Sequence, residues 1–344
     1  MQLRHRFFAL VFIIGYIFIA GSLFYLKTEP DLKSKQFRPA FRQESFVEKN
    51  ETDFRPFIYL TQTERCLPLN LNASIGDNEA CNCDVIVLSY KEQCQELTPS
   101  HVAYVYDPQS TWSSGRNTLY FTALNRTPGY HYYIFLDDDV TLTFNDLTPP
   151  EMKKMQPIRA IEEWLLDYEP AVGVLDYAQH SAKWTLIRRK LICGVSDSSL
   201  VLPVVWFDAI FHAFHYKAVA HILPYSTQHD KKSWWMSALR IFPLVELKFR
   251  GQALLFAAVT AKNPKHRQYP RDAKQFDDMW RIFVEEIQQQ APAAYKNRTI
   301  FKALKEQLAR YTLFSSTYCL KVSRHLPIVP YAHFDRETSS KERT

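Results

Sequence analysis

The chain has 344 residues, 47% of them hydrophobic, which is enough apolar material for a sizeable core in one large domain or two small ones. With only 8 glycines, the sequence excludes a collagen-like or low-complexity protein. Its formal net charge of +6 is compatible with anionic ligands and does not indicate a nucleic-acid-binding protein.

The N-terminal region contains an uncharged apolar run over residues 7–26. A run of about 20 residues is the length that a helix needs to cross the hydrocarbon core of a membrane. We therefore predict a cytosolic tail over residues 1–6 and a transmembrane signal anchor over residues 7–26. A cleaved signal peptide, with a mature chain that begins near Ser22, is the alternative.

The residues after this run indicate its orientation. Asn50, Asn72, Asn125 and Asn297 each begin a tripeptide of the N-glycosylation pattern, and all 6 cysteines follow the run. These features predict a single-pass type II glycoprotein of the Golgi or endoplasmic reticulum membrane with a luminal body, in which disulfides are expected. The sequence does not choose among the pairings. The Cys81-Asn-Cys83 spacing disfavours a structural zinc site.

The order of polar and apolar segments predicts the domain boundaries. Residues 27–65 are polar, contain scattered prolines and show no periodicity, so we predict a stem there, although residues 54–60 alternatively pack onto the domain. Residues 66–335 form the predicted catalytic domain, and residues 336–344 form a predicted disordered tail.

Strand and helix patterns alternate in the first half of this domain. The predicted strands cover residues 84–90, 101–107, 130–136 and 171–176, and the predicted helices cover residues 117–125 and 157–168. Such alternation predicts an α/β fold in which helices flank a mainly parallel sheet. In these folds ligands bind beyond the carboxyl ends of the strands, where Tyr90, Asp107 and Asp137 fall.

The second half is less regular. We predict strands over residues 199–207, 245–249 and 254–260, and helices over residues 208–223, 272–289 and 300–314. His212 and His215 lie on the predicted helix 208–223, and we interpret both as structural residues.

Asp137, Asp138 and Asp139 follow directly after an apolar strand. Three adjacent carboxylates repel one another unless a cation lies among them, and hard oxygen ligands suit Mg²⁺ or Mn²⁺. In an extended chain Asp137 and Asp139 project to one side and Asp138 to the other. A solvated acidic turn is the alternative, which the apolar residues before the carboxylates disfavour.

A longer pattern contains these aspartates. It consists of Gly115, Arg116 and Asn117, then Gly129, the apolar strand and the three aspartates, and it resembles the GT-A glycosyltransferase superfamily over residues 84–176. The resemblance implies a Rossmann-related, GT-A-like fold, a divalent ion and a nucleotide sugar, with UDP as the expected nucleotide.

The resemblance also implies roles for individual residues. The implied nucleotide-binding residues are Tyr90, Asp107, Arg116, Asn117, Asp137 and Asp138, and the implied metal ligands are Asp137, Asp139 and His266. We expect Asp139 to coordinate the ion directly and Asp137 to contact the ribose or the ion's water shell. His266 is preferred over His333 because it follows a predicted strand.

Each of the nucleotide-binding residues also has a structural interpretation. Arg116 suits phosphate because its guanidinium is a fork of donors, but a surface salt bridge explains it equally. Asn117 is alternatively a helix cap, Tyr90 a packed strand residue and Asp107 a turn residue.

A catalytic base is needed if the reaction inverts the anomeric configuration. We predict Asp230, which lies in a polar loop just before Trp234 and Trp235, whose flat rings are suited to stack on an acceptor sugar. Asp208 and Glu246 are the other candidates, but a helix cap explains the first, and a salt bridge with the neighbouring Lys248 explains the second.

The sequence thus predicts a metal-dependent glycosyltransferase that acts on a glycan, glycoprotein or glycolipid acceptor. The alternatives are a secretory-pathway phosphotransferase or nucleotidyltransferase and a non-catalytic luminal glycan-binding protein on the same fold. The sequence chooses neither the donor sugar nor the acceptor.

Overall fold

The structure, a computed structural model, describes residues 55–77, 81–96, 99–126, 129–178, 182–194, 199–264, 276–296, 301 and 317–336. All of these residues belong to one compact unit, Lys49–Thr344. Within them, no helix has both the length and the apolar character that crossing a membrane requires. The predicted anchor over residues 7–26 lies outside the described residues.

The described residues form nine strands and eight α-helices. The strands are β1 (Phe57–Thr63), β2 (Cys83–Ser89), β3 (Val102–Tyr106), β4 (Tyr132–Asp137), β5 (Thr141–Phe144), β6 (Val172–Tyr177), β7 (Val201–Pro203), β8 (Phe211–His215) and β9 (Ala253–Lys262). The helices are α1 (Leu69–Ile75), α2 (Trp112–Leu124), α3 (Pro157–Tyr168), α4 (Ala182–Cys193), α5 (Tyr216–Ile222), α6 (Trp234–Lys248), α7 (Phe276–Gln290) and α8 (Ala293–Lys296).

All of the described strands belong to a single sheet with the order β3-β2-β1-β4-β8-β6-β9-β5, and β7 also pairs with β9. Strands β1 to β4 are parallel to one another, and β8 lies antiparallel between β4 and β6. The fold is therefore mixed α/β with a large central sheet, compatible with a GT-A-like fold. The expected parallel arrangement holds for the first four strands but not for the whole sheet.

Both faces of the sheet are covered, as the apolar strands predict. Ile58 and Leu60 of β1 belong to one hydrophobic core with residues of helix α2, and Phe57 and Tyr59 belong to a second core with residues of helix α3. Alternate side chains of one strand thus fill two separate cores.

The position of β1 corrects the predicted stem. This strand pairs with β2 on one side and with β4 on the other, and Phe57, Ile58, Tyr59 and Leu60 are all buried. The predicted boundary at residue 66 is therefore wrong, since the domain already includes the central strand β1. The alternative, in which residues 54–60 pack onto the domain, is confirmed for Phe57–Leu60.

The segment 208–223 also differs from its prediction, because it forms strand β8 and then the short helix α5. Phe211 and Phe214 enter opposite cores, and His212 and His215 are buried as well. A central strand buries both of its faces, whereas an amphipathic helix exposes one. His212 and His215 are therefore buried because they lie on a central strand of the sheet.

The remaining predictions have mixed outcomes. The strand over 254–260 is confirmed as β9, and the helix over 272–289 is confirmed from Phe276, where the described residues resume, as α7. The strand over 199–207 shortens to β7. The predicted strand over 245–249 is wrong, because most of these residues form the last turn of helix α6. Of the predicted helix over 300–314, only Phe301 lies within the described residues.

The expected disulfides are present, and the structure chooses their pairing. The pairs are Cys66–Cys94, Cys81–Cys83 and Cys193–Cys319. The first pair joins the segments that follow β1 and β2, at the edge of the sheet where the parallel strands end.

Candidate functional site

A cavity of about 770 Å³ lies at the carboxyl ends of the parallel strands, and we call it the strand-end cavity. Its acidic lining residues are Glu64, Asp137, Asp138, Asp139 and Asp208. Its aromatic lining residues are Tyr90, Trp112, Tyr177, Phe207, Trp234, Trp235 and Phe242. One end of the sheet therefore brings carboxylates and flat apolar rings around the same space.

The charges on this lining are unbalanced. Among the described residues, the five acidic side chains face only two basic ones, Lys91 and Arg116, which leaves a formal excess of three negative charges. Lys91 Nζ lies 2.8 Å from Glu64 Oε1, and Arg116 Nη2 lies 2.8 Å from Asp137 Oδ1. The formal excess of negative charge on this lining suits a divalent cation.

The acidic segment is a turn rather than an extension of the strand. Strand β4 ends at Asp137, and the backbone N–H of Val140 donates to the carbonyl oxygen of Asp137 at 3.3 Å. Because the chain turns here, Asp138 does not point away, as predicted for an extended chain, but lines the cavity together with Asp137 and Asp139.

The environment of this turn opposes ionisation. The pKa of Asp137 is raised to about 7, mainly by burial. The positive charge of Arg116 lowers this pKa, whereas the nearby carboxylates of Asp208, Asp139 and Asp138 raise it further. Burial also raises the pKa of Asp138 to about 6, with a further contribution from Asp139. A bound cation would relieve this cost, because it favours the ionised form of every carboxylate beside it.

Arg116 is held rigidly beside the carboxylates. Its guanidinium lies 4.2 Å from the centre of the Trp112 ring and donates to the carbonyl oxygen of Ala209 at 3.2 Å in addition to Asp137. Its side chain is only 3% exposed. The predicted salt bridge is thus present, but it lies within the cavity lining rather than on the surface.

The glycine before Arg116 has a packing role. A Cβ atom at Gly115 would lie 1.9 Å from Gln62 Nε2, which donates to the carbonyl oxygen of Thr111 at 3.0 Å. A larger residue here would have to displace the Gln62 side-chain amide, which lies between helix α2 and the end of β1. This packing of helix α2 against β1 places Arg116 next to Asp137 at the end of the adjacent strand.

Asn117 and Asp107 do not line the cavity. Asn117 Nδ2 donates to the carbonyl oxygen of Tyr225 at 2.9 Å, and Asn117 Oδ1 accepts from the Tyr225 N–H at 2.7 Å. Asp107 Oδ1 accepts from the backbone N–H of Gln109 at 3.0 Å. These contacts connect Asn117 to the backbone of Tyr225 and place Asp107 in a turn. The nucleotide-binding roles of both residues stay predictions.

Asp230 lies in the loop before helix α6, as predicted, and its role as a catalytic base stays a prediction. It is only 6% exposed and does not line the cavity. One of its oxygens accepts from the Thr111 hydroxyl, and the other accepts from Ser237 Oγ at 3.4 Å. Its carboxylate joins the start of helix α2 to helix α6, which is a structural role.

The two other base candidates fall in different places. Glu246 is buried within helix α6, where it pairs with Arg250 and accepts from the Thr317 hydroxyl, so its ionic partner is not Lys248 as predicted. Asp208 lines the cavity, and its Oδ1 accepts from the backbone N–H of Ile210 at 2.9 Å. A helix cap was predicted for Asp208, but strand β8 rather than a helix follows this residue.

The predicted aromatic residues do reach the cavity. Trp234 and Trp235 are the first residues of helix α6, and both line the cavity, as does Tyr90. The side chain of Trp235 is 39% exposed. On another part of the wall, the Tyr177 hydroxyl donates to Asn263 Oδ1 at 2.9 Å. His266 lies outside the described residues, so its metal-ligand role stays a prediction.

Comparison with known proteins finds similarity among solved structures only. No protein-family model matches the chain, and no curated protein is significantly similar to it. Among solved structures, the fold is similar to the crystal structure of GalNAc-T7 with UDP, GalNAc and Mn²⁺, with a TM-score of 0.44 and 9% identity. The match covers 76% of this chain and 58% of that one, so less than two thirds of that protein is represented. A likeness this distant does not bear on the residues of the site.

Proposed function

We propose that the protein is a metal-dependent glycosyltransferase that uses a nucleotide sugar, with UDP as the expected nucleotide. The observation that carries this proposal is the combination, in one strand-end cavity, of a cluster of carboxylates and an aromatic wall. The cluster suits a metal-bound diphosphate, and the wall suits a base and a sugar ring.

The residues of the cavity fit a divalent ion. A diphosphate alone would be repelled by a cavity with an excess of negative charge, so an anionic donor requires a cation between the two. Asp139 and Asp137 would hold Mn²⁺ or Mg²⁺, with Asp208 close enough to Asp137 to raise its pKa. When bound, such an ion neutralises the charge that develops on a diphosphate leaving group.

The protein's own side chains would position the two substrates. Arg116 fixes Asp137 and adds a planar cation for phosphate oxygens. Tyr90 offers a flat surface for the base, and Trp234 and Trp235 offer one for an acceptor sugar. A cavity of about 770 Å³ lies within the range of small-molecule and cofactor sites.

We further propose that the protein is a type II membrane protein of the Golgi or endoplasmic reticulum, with a glycan, glycoprotein or glycolipid as the acceptor. The apolar run over residues 7–26 and the disulfides support this location, because disulfides persist in oxidising compartments.

The test uses the purified full chain with Mn²⁺ and a panel of sugar nucleotides. We expect one UDP-linked sugar to be hydrolysed or transferred, and Asp139→Asn to abolish Mn²⁺-dependent binding of UDP in calorimetry without changing thermal unfolding. Asp146→Asn, at an exposed loop residue outside the cavity lining, is the matched control and should behave as wild type.

Three results would contradict the proposal. Unchanged UDP affinity of Asp139→Asn in Mn²⁺ would remove the metal site from this turn. A product that carries sugar phosphate rather than sugar alone would identify a phosphotransferase, and the absence of any turnover with intact UDP binding would favour a non-catalytic binding protein.

A further inference from the structure

A second group of ligand-type side chains lies at the opposite end of the sheet from the cavity. His131 immediately precedes β4, His215 ends β8, and Glu169 follows helix α3. Tyr132 pairs with His215 in the sheet, whereas Asp137 is at the other end of β4. At about 3.3 Å per residue, the length of β4 separates this group from the cavity by roughly 17 Å.

The ligand atoms of the three residues converge, and we call the group the His–Glu cluster. His131 Nε2 lies 3.1 Å from Glu169 Oε1 and also 3.1 Å from His215 Nε2. All three ligand atoms lie within 4.8 Å of one another. The side chains of His131 and Glu169 are partly exposed, so the cluster is accessible from solvent.

No arrangement of protons satisfies these contacts. His215 Nδ1 accepts the backbone N–H of Lys217 at 3.2 Å, so the proton of this imidazole must be on Nε2, which faces His131 Nε2. If His131 Nε2 accepts a hydrogen bond from His215 Nε2–H, it carries no proton that it could donate to the carboxylate oxygen of Glu169. If His131 Nε2 carries a proton for Glu169 instead, two N–H groups point at each other. If Glu169 is protonated, its O–H and the N–H of His215 both compete for the single lone pair of His131 Nε2.

A metal ion in place of the protons removes this conflict. We propose that the His–Glu cluster binds Zn²⁺ through His131 Nε2, His215 Nε2 and a carboxylate oxygen of Glu169. Tetrahedral Zn²⁺ with ligand distances of about 2.0–2.1 Å holds its ligand atoms about 3.3 Å apart. His131 Nε2 lies 3.1 Å from each of the other two ligand atoms, and those two lie within 4.8 Å of each other. Imidazole ligands select a transition metal over Mg²⁺, and three protein ligands leave a fourth position for water.

The surroundings of the cluster hold the carboxylate in place. His325 Nδ1 donates to the second oxygen of Glu169 at 3.0 Å, as the partners of metal-bound carboxylates do. Among the described residues, three non-glycine residues have a left-handed backbone, and Glu169 with φ 46° and His325 with φ 51° are two of them. Strained backbone of this kind persists where the surrounding structure requires it. The ion would thus connect the C-terminal segment that contains His325 to the sheet.

The test is Zn²⁺ binding by the purified full chain after treatment with a chelator. We expect calorimetry in excess Mg²⁺, which occupies the carboxylates of the strand-end cavity, to give one Zn²⁺ site, and His131→Gln and Glu169→Gln each to weaken it at least tenfold. Co²⁺ should give a visible absorption band of tetrahedral nitrogen ligation in the wild type but not in these variants. Asp139→Asn, in the strand-end cavity, and His333→Gln, at a half-buried histidine outside the cluster, are the matched controls and should bind as wild type.

The inference is overturned if the wild type takes up no Zn²⁺, or if both cluster variants bind it as tightly as the wild type. Thermal unfolding of the metal-free proteins identifies a variant that fails to fold. Glu169→Gln preserves the shape of the side chain and decides the question if His131→Gln is unstable. A loss of Zn²⁺ from Asp139→Asn would move the site to the cavity.

Discussion

Replacing Arg116 by methionine tests the electrostatics of the strand-end cavity most directly. Methionine keeps much of the apolar stem that packs near Trp112, but it removes the donor to Asp137 and the charge above the Trp112 ring. The variant therefore separates packing from charge. It also leaves Asp137 with burial and three neighbouring carboxylates as the influences on its pKa, all of which raise it.

The expected loss of stability follows from these contacts. Removing one partner of a buried ion pair costs about 3–5 kcal/mol, but the side chain of Asp137 is 31% exposed, so solvent screening reduces this cost to about 2 kcal/mol. The lost interaction with Trp112 adds about 1 kcal/mol. We therefore expect a decrease of about 3 kcal/mol in the free energy of unfolding at pH 8.

The destabilisation should depend on pH in a defined direction. The pKa of Asp137 is about 7 in the folded protein, above its ordinary value of 3.8, so the folded state binds more protons than the unfolded state between these values. Stability therefore falls as the pH rises through this window. Without Arg116 the folded pKa is higher still, so the fall continues to higher pH. At pH 5 Asp137 is protonated in both proteins, and the difference between them should shrink.

Ligand binding should change in two opposite directions. Mn²⁺ alone should bind to Arg116→Met at least as tightly as to wild type, because the cavity has lost a positive charge. UDP in the presence of Mn²⁺ should bind about 10- to 100-fold more weakly, since a hydrogen bond to a charged group contributes about 1.5–3 kcal/mol.

Arg159→Met is the matched control for this experiment. Arg159 pairs with Glu162, whose pKa burial raises to about 7, and neither residue lines the cavity. Denaturant unfolding at pH 5 and pH 8 should show pH-dependent destabilisation of both variants, whereas calorimetry should show altered ligand binding only for Arg116→Met. Unchanged UDP affinity of Arg116→Met, or an equal loss in Arg159→Met, would refute the assignment of Arg116 to the nucleotide site.

Two further predictions concern the aspartates. Asp230→Asn should lower stability by about 1 kcal/mol, because it weakens the hydrogen bonds from Thr111 and Ser237, and should leave turnover within a few-fold of wild type. A loss of turnover by orders of magnitude without a change in stability would confirm Asp230 as a base. Mn²⁺ affinity should rise from pH 5 to pH 8, because protons with a pKa of about 7 on Asp137 and about 6 on Asp138 must leave before these carboxylates can face the ion. Calorimetry in buffers of different ionisation enthalpy measures these protons, and a pH-independent affinity would contradict this reasoning.

The sequence by itself determined the features that depend on neighbouring residues. An apolar run followed by three carboxylates predicted strand β4 and the acidic residues at its end, and helical periodicity predicted helix α3 and most of helix α7. The alternation of strands and helices predicted that Tyr90 and Asp137 lie at the same edge of the sheet. These inferences succeed because burial and backbone geometry repeat over a few residues along the chain.

Only the tertiary structure decided which polar side chains meet. Asn117 and Tyr225 are 108 residues apart, and Thr111 and Asp230 are 119 apart, so no local pattern distinguishes their structural hydrogen bonds from roles in the site. His131 and His215 come within 3.1 Å of each other because β4 and β8 pair antiparallel across 84 residues of sequence. The free energy that fixes such contacts comes from the cores on both faces of the sheet, and the pairing of distant strands is set by how all of those apolar side chains pack together.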